Sequence, residues 1–284
     1  MRDLKGKVVV VTGAASGIGA AMAHAFAAEG SQLVIADIEA DALKSVEQQL
    51  RASGTNMIAV TTDVADGASV ARLAAAALDA FGAVHVLCNN AGVAHALRPV
   101  WEFSEAYWQW LLGVNVWGVI HSIRTFIPIM LRQGSEGHVV NTASLAGLLS
   151  YPLQYMGMYC ASKHAVLSIS ETLAADLAAT GSKIGVSVLC PGFVRTRIME
   201  SERHRPADLA SERHADAALA EWWKAGVEGG SDPKDIAAAV LAAIRENRLY
   251  VLPHSDFNDA IRSHAEDLVM QRNPGANAAV ATGA

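Results

Sequence analysis

Residues 8–19 read VVVVTGAASGIG and combine the two features that decide the fold. The four valines form a β-branched run, which predicts a strand buried on both faces of a sheet. Three glycines with the spacing G-x-x-x-G-x-G follow, and helix-forming residues then continue to Glu29, before Gly30. A glycine is suited to the position that ends a helix. The order of strand, glycine-rich turn and helix predicts the first unit of an α/β protein.

The same alternation runs through most of the chain. It predicts strands at residues 8–12, 32–37, 56–61, 84–89, 137–142, 184–190 and 250–252. It predicts helices at residues 17–30, 40–53, 67–81, 104–132, 155–179 and 233–247. This pattern is typical of a doubly wound parallel sheet with helices on both faces.

The organisation predicts a single domain over residues 1–272, because no linker or internal repeat divides the series. By length alone, 284 residues at roughly 150 per domain would also allow two domains. Two segments depart from the alternation. Residues 195–230 form a charge-mixed helical insertion, and residues 273–284 have so little to bury that we predict a flexible tail.

Composition excludes several classes of protein. With 52% hydrophobic and 18% charged residues, the chain is not a disordered or highly charged scaffold. A net charge of −6 offers no basic surface for nucleic acid. Cys88, Cys160 and Cys190 are too few and too far apart for a disulfide framework, so we expect reduced core residues of a cytoplasmic protein. The histidines show no metal-ligand spacing, so no metal site is predicted, and no G-x-S-x-G motif indicates a hydrolase.

The longest apolar stretch, residues 111–130, is interrupted by polar residues and a proline. These are Asn115, His121, Arg124 and Pro128. A membrane-spanning helix needs about 20 consecutive, predominantly apolar residues. We therefore predict a buried helix here and no membrane partner.

The glycine-rich turn has the properties of a phosphate-binding loop. Glycines let the backbone approach a pyrophosphate, and the following helix N-terminus supplies unpaired N–H groups and a partial positive charge. A tight turn without a ligand is the alternative, but the position between strand and helix favours phosphate binding. The predicted contacts are Gly13, Ser16, Gly17, Ile18 and Gly19.

Asp37 ends the second predicted strand, where an acidic residue can accept hydrogen bonds from an adenosine ribose. Alone it would be interpreted as a turn or helix-capping residue, but the glycine loop favours the ribose contact. A 2′-phosphate near this carboxylate would meet like-charge repulsion, and Ser16 and Ile38 offer no compensating cation. The sequence therefore predicts NAD rather than NADP as the cofactor.

Further candidates follow the third and fourth strands, at the carboxyl ends where open α/β sheets bind ligands. They are Asp63, Val64, Asn90, Ala91 and Gly92. Asp63 is explained equally well by a contact to the adenine amino group or by capping of the next helix through Asp66 and its neighbours. The Asn-Asn-Ala-Gly sequence at residues 89–92 is more specific, since two amides and a glycine rarely end a buried strand without a binding role.

Tyr159 and Lys163 are four residues apart and share one face of a helix. A phenol has a reference pKa near 10, too high for proton transfer at neutral pH. A neighbouring ammonium and a cationic nicotinamide can lower this pKa by about three units, which takes roughly 4 kcal/mol. Tyr-x-x-x-Lys is common by chance, but Tyr151 and Tyr155 lack a lysine at this spacing, so Tyr159 is the candidate for proton transfer.

Ser144 and Asn115 complete the candidate chemical site. Ser144 follows the strand at residues 137–142, where a hydroxyl can polarise a substrate carbonyl. A serine that caps a turn is the alternative. Asn115 lies within an apolar predicted helix, and we interpret it as a proton-relay element rather than as a satisfied buried amide.

Together these motifs resemble the short-chain dehydrogenase/reductase family over residues 5–196. The matching segments, in order, are residues 12–19, residues 89–92, Asn115, Ser144, Tyr159 with Lys163, and Pro191-Gly192-x-Val194-x-Thr196. The resemblance implies a Rossmann-like sheet of about seven strands and a homodimer or homotetramer. It also implies hydride transfer between NAD(P) and a secondary alcohol or ketone.

Carried over residue by residue, the resemblance gives each motif a role. Tyr159 would be the acid/base, Lys163 would tune it and bind ribose, and Ser144 would orient the carbonyl. Asn115 would hold a water relay, and Asp37 is similar to the acidic residue of NAD-preferring members. The nicotinamide would be flanked by Pro191, Gly192, Val194 and Thr196.

The substrate pocket falls outside the shared motifs. The family's substrate lid lies after Thr196, and the segment from Ser144 to Tyr159 is a residue or two longer than usual. Apolar or weakly polar candidates predict a bulky, apolar or aromatic substrate. They are His95, Leu97, Leu145, Tyr151, Gln154, Phe193, Ile198, Met199, Leu219, Trp222 and Trp223. Trp222 and Trp223 are explained equally well as anchors of the insertion to the body or to another subunit.

Charges of the insertion, among them Arg203, Arg205 and Arg213, alternate in sign with acidic residues, which is typical of a solvated helix face. Residues 250–253 (YVLP) and the helix after them bear a weaker resemblance to bacterial Cα-dehydrogenases acting on benzylic alcohols of lignin-derived aromatics. A nucleotide-sensing protein on the same fold and a sugar-nucleotide epimerase are the alternatives. A sensor should have lost part of the Ser144, Tyr159 and Lys163 set, and an epimerase usually has another glycine spacing and a larger C-terminal domain.

Overall fold

A computed structural model describes residues 1–150, 153–211 and 213–274 of the chain. Its centre is a parallel sheet of seven described strands in the order β3-β2-β1-β4-β5-β6-β7. The strands are β1 (Val8–Thr12), β2 (Gln32–Asp37), β3 (Met57–Thr61), β4 (Val86–Asn89), β5 (Gly137–Thr142), β6 (Ile184–Leu189) and β7 (Tyr250–Val251). This strand order confirms the predicted Rossmann-like α/β class.

Nine described α-helices surround the sheet. They are α1 (Gly17–Ala28), α2 (Ala40–Ala52), α3 (Gly67–Phe81), α4 (Glu105–Leu112), α5 (Gly118–Gln133), α6 (Gly157–Ala179), α7 (Ala217–Glu228), α8 (Pro233–Glu246) and α9 (Asn258–Val269). The predicted helix at residues 104–132 is divided into α4 and α5 by the π-helical turn Gly113–Trp117. By length and apolar content alone, Glu105–Gln133 would pass as a membrane-crossing helix, yet its Phe126 and Met130 are buried in the core beside the sheet.

The packing on both faces of the sheet explains why β1 consists almost entirely of valines. Val9 and Val11 face a core cluster that includes α1, α2 and α8, whereas Val8 and Val10 face a cluster that includes α3, α5 and α6. Because side chains alternate along a strand, a strand covered on both faces is apolar at every position. The doubly wound architecture is therefore encoded in the first strand.

The strand order reverses at β1, which pairs in parallel with both β2 and β4. The connections after β1 and β4 therefore leave in opposite directions and open a crevice at the carboxyl ends of these strands. Open α/β sheets bind their ligands at such a point. All sequence candidates discussed below lie at this edge or in the segments that border it.

We call the insertion after β6, residues 195–230, the lid. It contains a 3₁₀ segment, Ile198–His204, and the helix α7. Hydrogen bonds attach it to the loop after β4: the Ser201 hydroxyl accepts from the Ala94 N–H at 2.9 Å, and the Ala215 N–H donates to the Leu97 carbonyl at 2.8 Å. The predicted flexible tail at residues 273–284 lies outside the described residues from residue 275 onward.

Candidate active site

The glycine loop between β1 and α1 is shaped by contacts that leave no room for side chains. Gly13 and Gly17 have φ of +65° and +53°, which favour glycine, and a Cβ on Gly13 would lie 2.8 Å from the Ala91 Cα. A Cβ on Gly19 would collide with the Gly13 carbonyl oxygen. Ser16 occupies the N-cap position without a side-chain hydrogen bond, so the start of α1 has no cap from its own chain. This cradle fits a pyrophosphate at a helix N-terminus.

Thr12 and Asn90 hold the glycine loop against the loop after β4. The Thr12 hydroxyl accepts from the Asn90 and Ala91 N–H groups at 3.0 and 3.2 Å. The Asn90 side chain donates to the carbonyls of Thr12 and Gly13, both at 3.2 Å. Sequence reasoning did not single out Thr12, although it is the residue that locks the two loops together.

Asp37 uses its carboxylate to shape the same region. Its oxygens accept from the Ala15 N–H at 2.9 Å and the Glu39 N–H at 3.0 Å. Asp63 accepts from the Ala65 N–H at 2.9 Å, whereas capping of α3 belongs to Asp66, which accepts from the first-turn amides. Both Asp37 and Asp63 therefore border the crevice with their carboxylates fixed by main-chain donors.

The crevice is a cleft of about 530 Å³ that brings together nearly all the predicted cofactor contacts. Gly19 is the exception, since it is buried beneath the loop, against Gly13. The predicted residues that line the cleft are Gly13, Ser16, Gly17, Ile18, Asp37, Ile38, Asp63, Val64, Asn90, Ala91, Gly92, Tyr159, Lys163, Pro191, Gly192, Val194 and Thr196.

Two lid arginines reach the Asp37 end of the cleft, although the lid charges Arg203, Arg213 and Glu221 are exposed, as predicted for a solvated face. Arg203 lies with its Nε 2.8 Å from a Glu39 carboxylate oxygen, and Arg197 approaches the other oxygen at 3.6 Å. Both arginines and Glu39 line the cleft. Sequence reasoning considered only Ser16 and Ile38 as sources of a cation here and missed these arginines, because Arg203 reaches Glu39 from 164 residues further along the chain.

Tyr159, Lys163 and Ser144 converge at the other end of the cleft. Ser144 follows β5 and lines the cleft with Tyr159, and its hydroxyl accepts from the Ala146 N–H at 3.1 Å and donates to the Pro191 carbonyl at 3.4 Å. The Lys163 Nζ lies 5.5 Å from the centroid of the Tyr159 ring and donates to the Thr142 carbonyl at 3.0 Å. Gly92 borders Lys163, since a Cβ there would lie 3.4 Å from its Nζ.

Burial shifts the pKa values of Tyr159 and Lys163, in each case toward the neutral form. It raises the pKa of Tyr159 to about 12, against the opposing hydrogen bond from Ser144. It lowers the pKa of Lys163 to about 8. The chain alone therefore does not produce the lowered phenol pKa expected from the sequence, because desolvation of the phenol outweighs its hydrogen bond with Ser144.

Asn115 is placed by the π-helical turn beside Gly92. Its Oδ1 accepts from the Val93 N–H at 2.8 Å, and its Nδ2 donates to the Val93 carbonyl at 2.9 Å and to the Ser162 hydroxyl at 3.0 Å. Every polar atom of the side chain thus has a protein partner. Asn115 is a satisfied buried amide that holds the Val93 peptide, and its part in a water relay stays a prediction.

A second, smaller cavity of about 90 Å³ adjoins Tyr159 and Ser144. Phe193, Trp222 and Trp223 form a mutually edge-on cluster on its wall, with ring centroids 5.1 to 5.7 Å apart. Sequence reasoning missed Phe257, from the segment after β7, which also lines it. The predicted pocket residues that line this cavity are Leu145, Phe193, Ile198, Met199, Trp222 and Trp223.

The remaining predicted pocket residues lie elsewhere. His95 is buried, and its ring accepts from the Tyr159 main-chain N–H. Leu97 is fully buried beneath the wall, and Leu219 packs with the cluster that contains Trp223. Gln154 is exposed, and Tyr151 lies outside the described residues. Polarity alone could not tell a residue on a cavity wall from one behind it.

Comparisons with known proteins agree with this geometry. The short chain dehydrogenase family model matches residues 7–207. A CLA biosynthesis dehydrogenase/reductase from Lactiplantibacillus plantarum is 35% identical over 280 residues, covering 96% of this chain and 97% of that protein. A short chain dehydrogenase/reductase from Burkholderia phymatum, solved in complex with NAD, has a TM-score of 0.93 and 46% identity, covering 97% of this chain and 98% of that one.

A C alpha-dehydrogenase from Sphingobium sp. is 29% identical over 274 residues, covering 95% of this chain and 87% of that protein. The family model spans most of the chain, and its relatives are named as dehydrogenases and reductases. The ordered motifs, the parallel sheet and these matches lead to one conclusion: the chain belongs to the short-chain dehydrogenase/reductase family of oxidoreductases.

Proposed function

We propose that this protein is an NAD-dependent oxidoreductase that transfers a hydride between NAD and a bulky, apolar or aromatic secondary alcohol or ketone. The observation that carries the proposal is the position of Tyr159 and Ser144, which line both the large cleft and the aromatic cavity. A cofactor in the first space and a substrate in the second would meet at these two hydroxyl groups.

The cleft fits a nicotinamide dinucleotide. The glycine cradle and the uncapped start of α1 suit its pyrophosphate, and Asp37 and Asp63 border the adenosine end. Lys163 would bind the ribose next to Tyr159, and Pro191 and Gly192 would flank the nicotinamide. When bound, this cofactor supplies or accepts the hydride.

The chain's own residues then donate or accept the proton. In the direction of ketone reduction, the Tyr159 phenol donates its proton to the carbonyl oxygen, and the Ser144 hydroxyl orients that oxygen by a hydrogen bond. In the direction of alcohol oxidation, the Tyr159 oxygen takes the proton from the alcohol. Lys163 stabilises the phenolate through its ammonium, which lies beside the ring.

The cavity wall supports an apolar substrate. Among the described residues that line the cavity, none is charged, and Phe193, Trp222, Trp223 and Phe257 supply aromatic surface. Burial of apolar surface contributes about 25 cal/mol per Å², so such a wall favours bulky hydrocarbon groups. The C alpha-dehydrogenase among the relatives is consistent with a secondary alcohol as substrate.

NAD rather than NADP is supported by the acidic rim. Asp37 and Glu39 both border the adenosine end of the cleft, and Glu39 is engaged with the lid arginines. Because Glu39 is paired with these arginines, the repulsion of a 2′-phosphate would come from Asp37, whose carboxylate is held by the main-chain N–H groups of Ala15 and Glu39. The Burkholderia relative was solved in complex with NAD, which is consistent with NAD as the cofactor here.

The experiment that tests this function is a turnover screen. Purified protein is mixed with NAD and a panel of aryl, alicyclic and short secondary alcohols, and NADH is followed by its absorbance. We expect NADH formation with aryl or alicyclic alcohols. No NADH with any alcohol, together with no ketone reduction by NADH, would refute the proposal.

We also propose a cytoplasmic homodimer or homotetramer. The three cysteines are free and buried, as suits a reducing compartment, and the described surface exposes large apolar side chains such as Trp101 and Val269. Light scattering during size-exclusion chromatography measures the mass directly, and a mass of about one chain would contradict the assembly.

A further inference from the structure

The loop after β4 turns the His95 ring away from the substrate cavity and toward the start of α6. Its Nε2 lies 3.2 Å from the Tyr159 main-chain nitrogen, and its Nδ1 lies 2.5 Å from the Ala96 carbonyl oxygen. A peptide N–H can only donate and a carbonyl can only accept. A neutral ring with its proton on Nδ1 and a lone pair on Nε2 satisfies both of these partners.

The hydrogen bond to His95 satisfies a main-chain N–H group in the first turn of α6. Tyr159 is the third residue of α6, and the first four N–H groups of a helix have no partner within it. Met156, at the N-cap position, makes no side-chain hydrogen bond to the first turn. His95, 64 residues earlier in the chain, supplies an acceptor to the residue that also holds the phenol.

The ring is itself held in place. It is 4% exposed and stands edge-on to Phe103, with centroids 5.1 Å apart. A ring fixed on one side by Phe103 and on the other by two main-chain groups has one orientation open to it. Through that orientation it determines where the first turn of α6, and hence the Tyr159 side chain, lies.

We propose that neutral His95 is a positioning residue for Tyr159, and that protonation of its ring disturbs the catalytic geometry. The proposal rests on the function of Tyr159 as acid/base. Protonated His95 would present an Nε2–H to the Tyr159 N–H, so an attraction would become a clash of two donors. Activity should then fall in acid although the phenol itself keeps its proton.

The surroundings place this transition below neutral pH. Burial is the largest influence and lowers the pKa of His95 below its usual 6.5, and His214 acts in the same direction. The carbonyls of Ala96 and Met156 and the carboxylate of Glu202 oppose the shift without cancelling it. The ring is therefore neutral at pH 7 and gains its proton only at lower pH.

The test uses ketone reduction by NADH, because in that direction Tyr159 must be protonated and its raised pKa adds no acid limb of its own. For the wild type we expect kcat to fall on the acid side of the usual histidine pKa of 6.5, because burial lowers the pKa of His95. In His95→Gln the amide can still accept from the Tyr159 N–H but cannot titrate. We expect kcat at pH 7.5 within about threefold of wild type and a flat profile in acid.

His95→Phe keeps the ring packing and removes the acceptor. We expect kcat to fall about tenfold or more while KM for NADH stays unchanged. The matched control is His85→Asn, because the His85 Nδ1 also accepts a peptide N–H, from Val8 at 3.1 Å, and burial also lowers its pKa. His85 precedes β4, at the opposite edge of the sheet, so the acid limb should persist in this variant.

An acid limb unchanged in His95→Gln, or full kcat in His95→Phe, would overturn the positioning role. Absence of wild-type turnover with every ketone would instead refute the proposed function. Hydrogen–deuterium exchange then decides about His95 without any substrate. The Tyr159 amide should exchange about tenfold faster in His95→Phe, and equal rates would overturn the inference.

Discussion

Tyr159 and Lys163 share a desolvated corner in which each is less charged than it would be in water. The pKa of the phenol is raised to about 12 and that of the amine is lowered to about 8, and burial is the largest cause of both shifts. A positive charge bound beside the phenol would favour its ionised form and oppose the effect of burial. Cofactor binding and acid strength are thus expected to depend on each other at this residue.

Removal of the phenol oxygen is the direct test of its role. Tyr159→Phe should reduce kcat for alcohol oxidation below a tenth of wild type, because no other described residue at the cavity border carries a phenol. The affinity for NAD, measured by quenching of tryptophan fluorescence, should stay within about threefold, since the glycine loop is untouched. A variant that kept a tenth or more of wild-type kcat would show that the acid/base lies elsewhere.

Asp37 should decide the choice between the two nicotinamide cofactors. We expect the wild-type kcat/KM to favour NAD over NADP by about tenfold or more, which corresponds to about 1.4 kcal/mol of repulsion and lost hydrogen bonding. The double variant Asp37→Ala with Ile38→Arg should narrow or invert the ratio in steady-state kinetics.

The control for cofactor choice is Asp41→Ala, which removes a carboxylate from the first turn of α2 but not from the lined cleft. This variant should keep the NAD preference. Equal use of NAD and NADP by the wild type would contradict the role of Asp37.

At the scale of elements, we expect the lid to decide which substrates the smaller cavity accepts. If the aromatic wall binds substrate, a bulky aryl secondary alcohol should exceed 2-propanol in kcat/KM by about a hundredfold, or about 3 kcal/mol. Trp222→Ala or Trp223→Ala should erase much of that difference and leave NAD affinity unchanged. Kinetics on an alcohol series of increasing size measure the effect.

Trp101→Ala is the matched control, since Trp101 is 81% exposed and lines neither cavity. It should leave the preference for aryl alcohols as it is. A response that does not depend on alcohol size would reject the aromatic pocket and leave the family assignment intact.

Elements whose signals are local were predictable from the sequence. β1, β2, α3 and β5 have the predicted bounds, because valine runs, caps and glycines lie within the elements themselves. The π-helical turn was not predictable, since nothing in the composition of residues 104–132 distinguishes a five-residue turn from a regular one. The residues that line the cleft were predictable because most sit at strand ends, which the alternation locates.

The residues that escaped prediction act across long sequence separations. Arg203 meets Glu39 from the lid, and Phe257 reaches the cavity from beyond β7. His95 has the polarity of a pocket residue but faces the start of α6. Each depends on how separate loops come together at one edge of the sheet, which no local pattern specifies.

For the whole molecule, buried neutral histidines should make stability depend on pH. Burial lowers the pKa of His138 to about 4, where it hydrogen-bonds Ser187 within the sheet. A folded-state pKa below the unfolded value of 6.5 means that stability is full above pH 6.5 and is lost as the pH falls toward 4, because only the unfolded chain gains the proton. Between pH 7.5 and 5 this single group should cost about 2 kcal/mol of unfolding free energy.

Urea unfolding of the wild type and of His138→Gln at the two pH values measures this loss. The variant should be less stable at pH 7.5 yet lose less between pH 7.5 and 5, since glutamine does not titrate. An identical loss in both proteins would show that His138 is not the group responsible.

The 3₁₀ segment of the lid has one further consequence, for redesign of the enzyme. Met199 lines the substrate cavity, and Arg203, four residues later, is paired with Glu39 at the adenosine rim. The segment bends at Glu200, but only three residues separate Met199 from Arg203, so we expect a shift at one end to reach the other. We therefore expect substrate bound against Met199 to change dinucleotide affinity, and by thermodynamic reciprocity the dinucleotide should change substrate affinity by the same factor. A substitution at Met199 should alter this coupling.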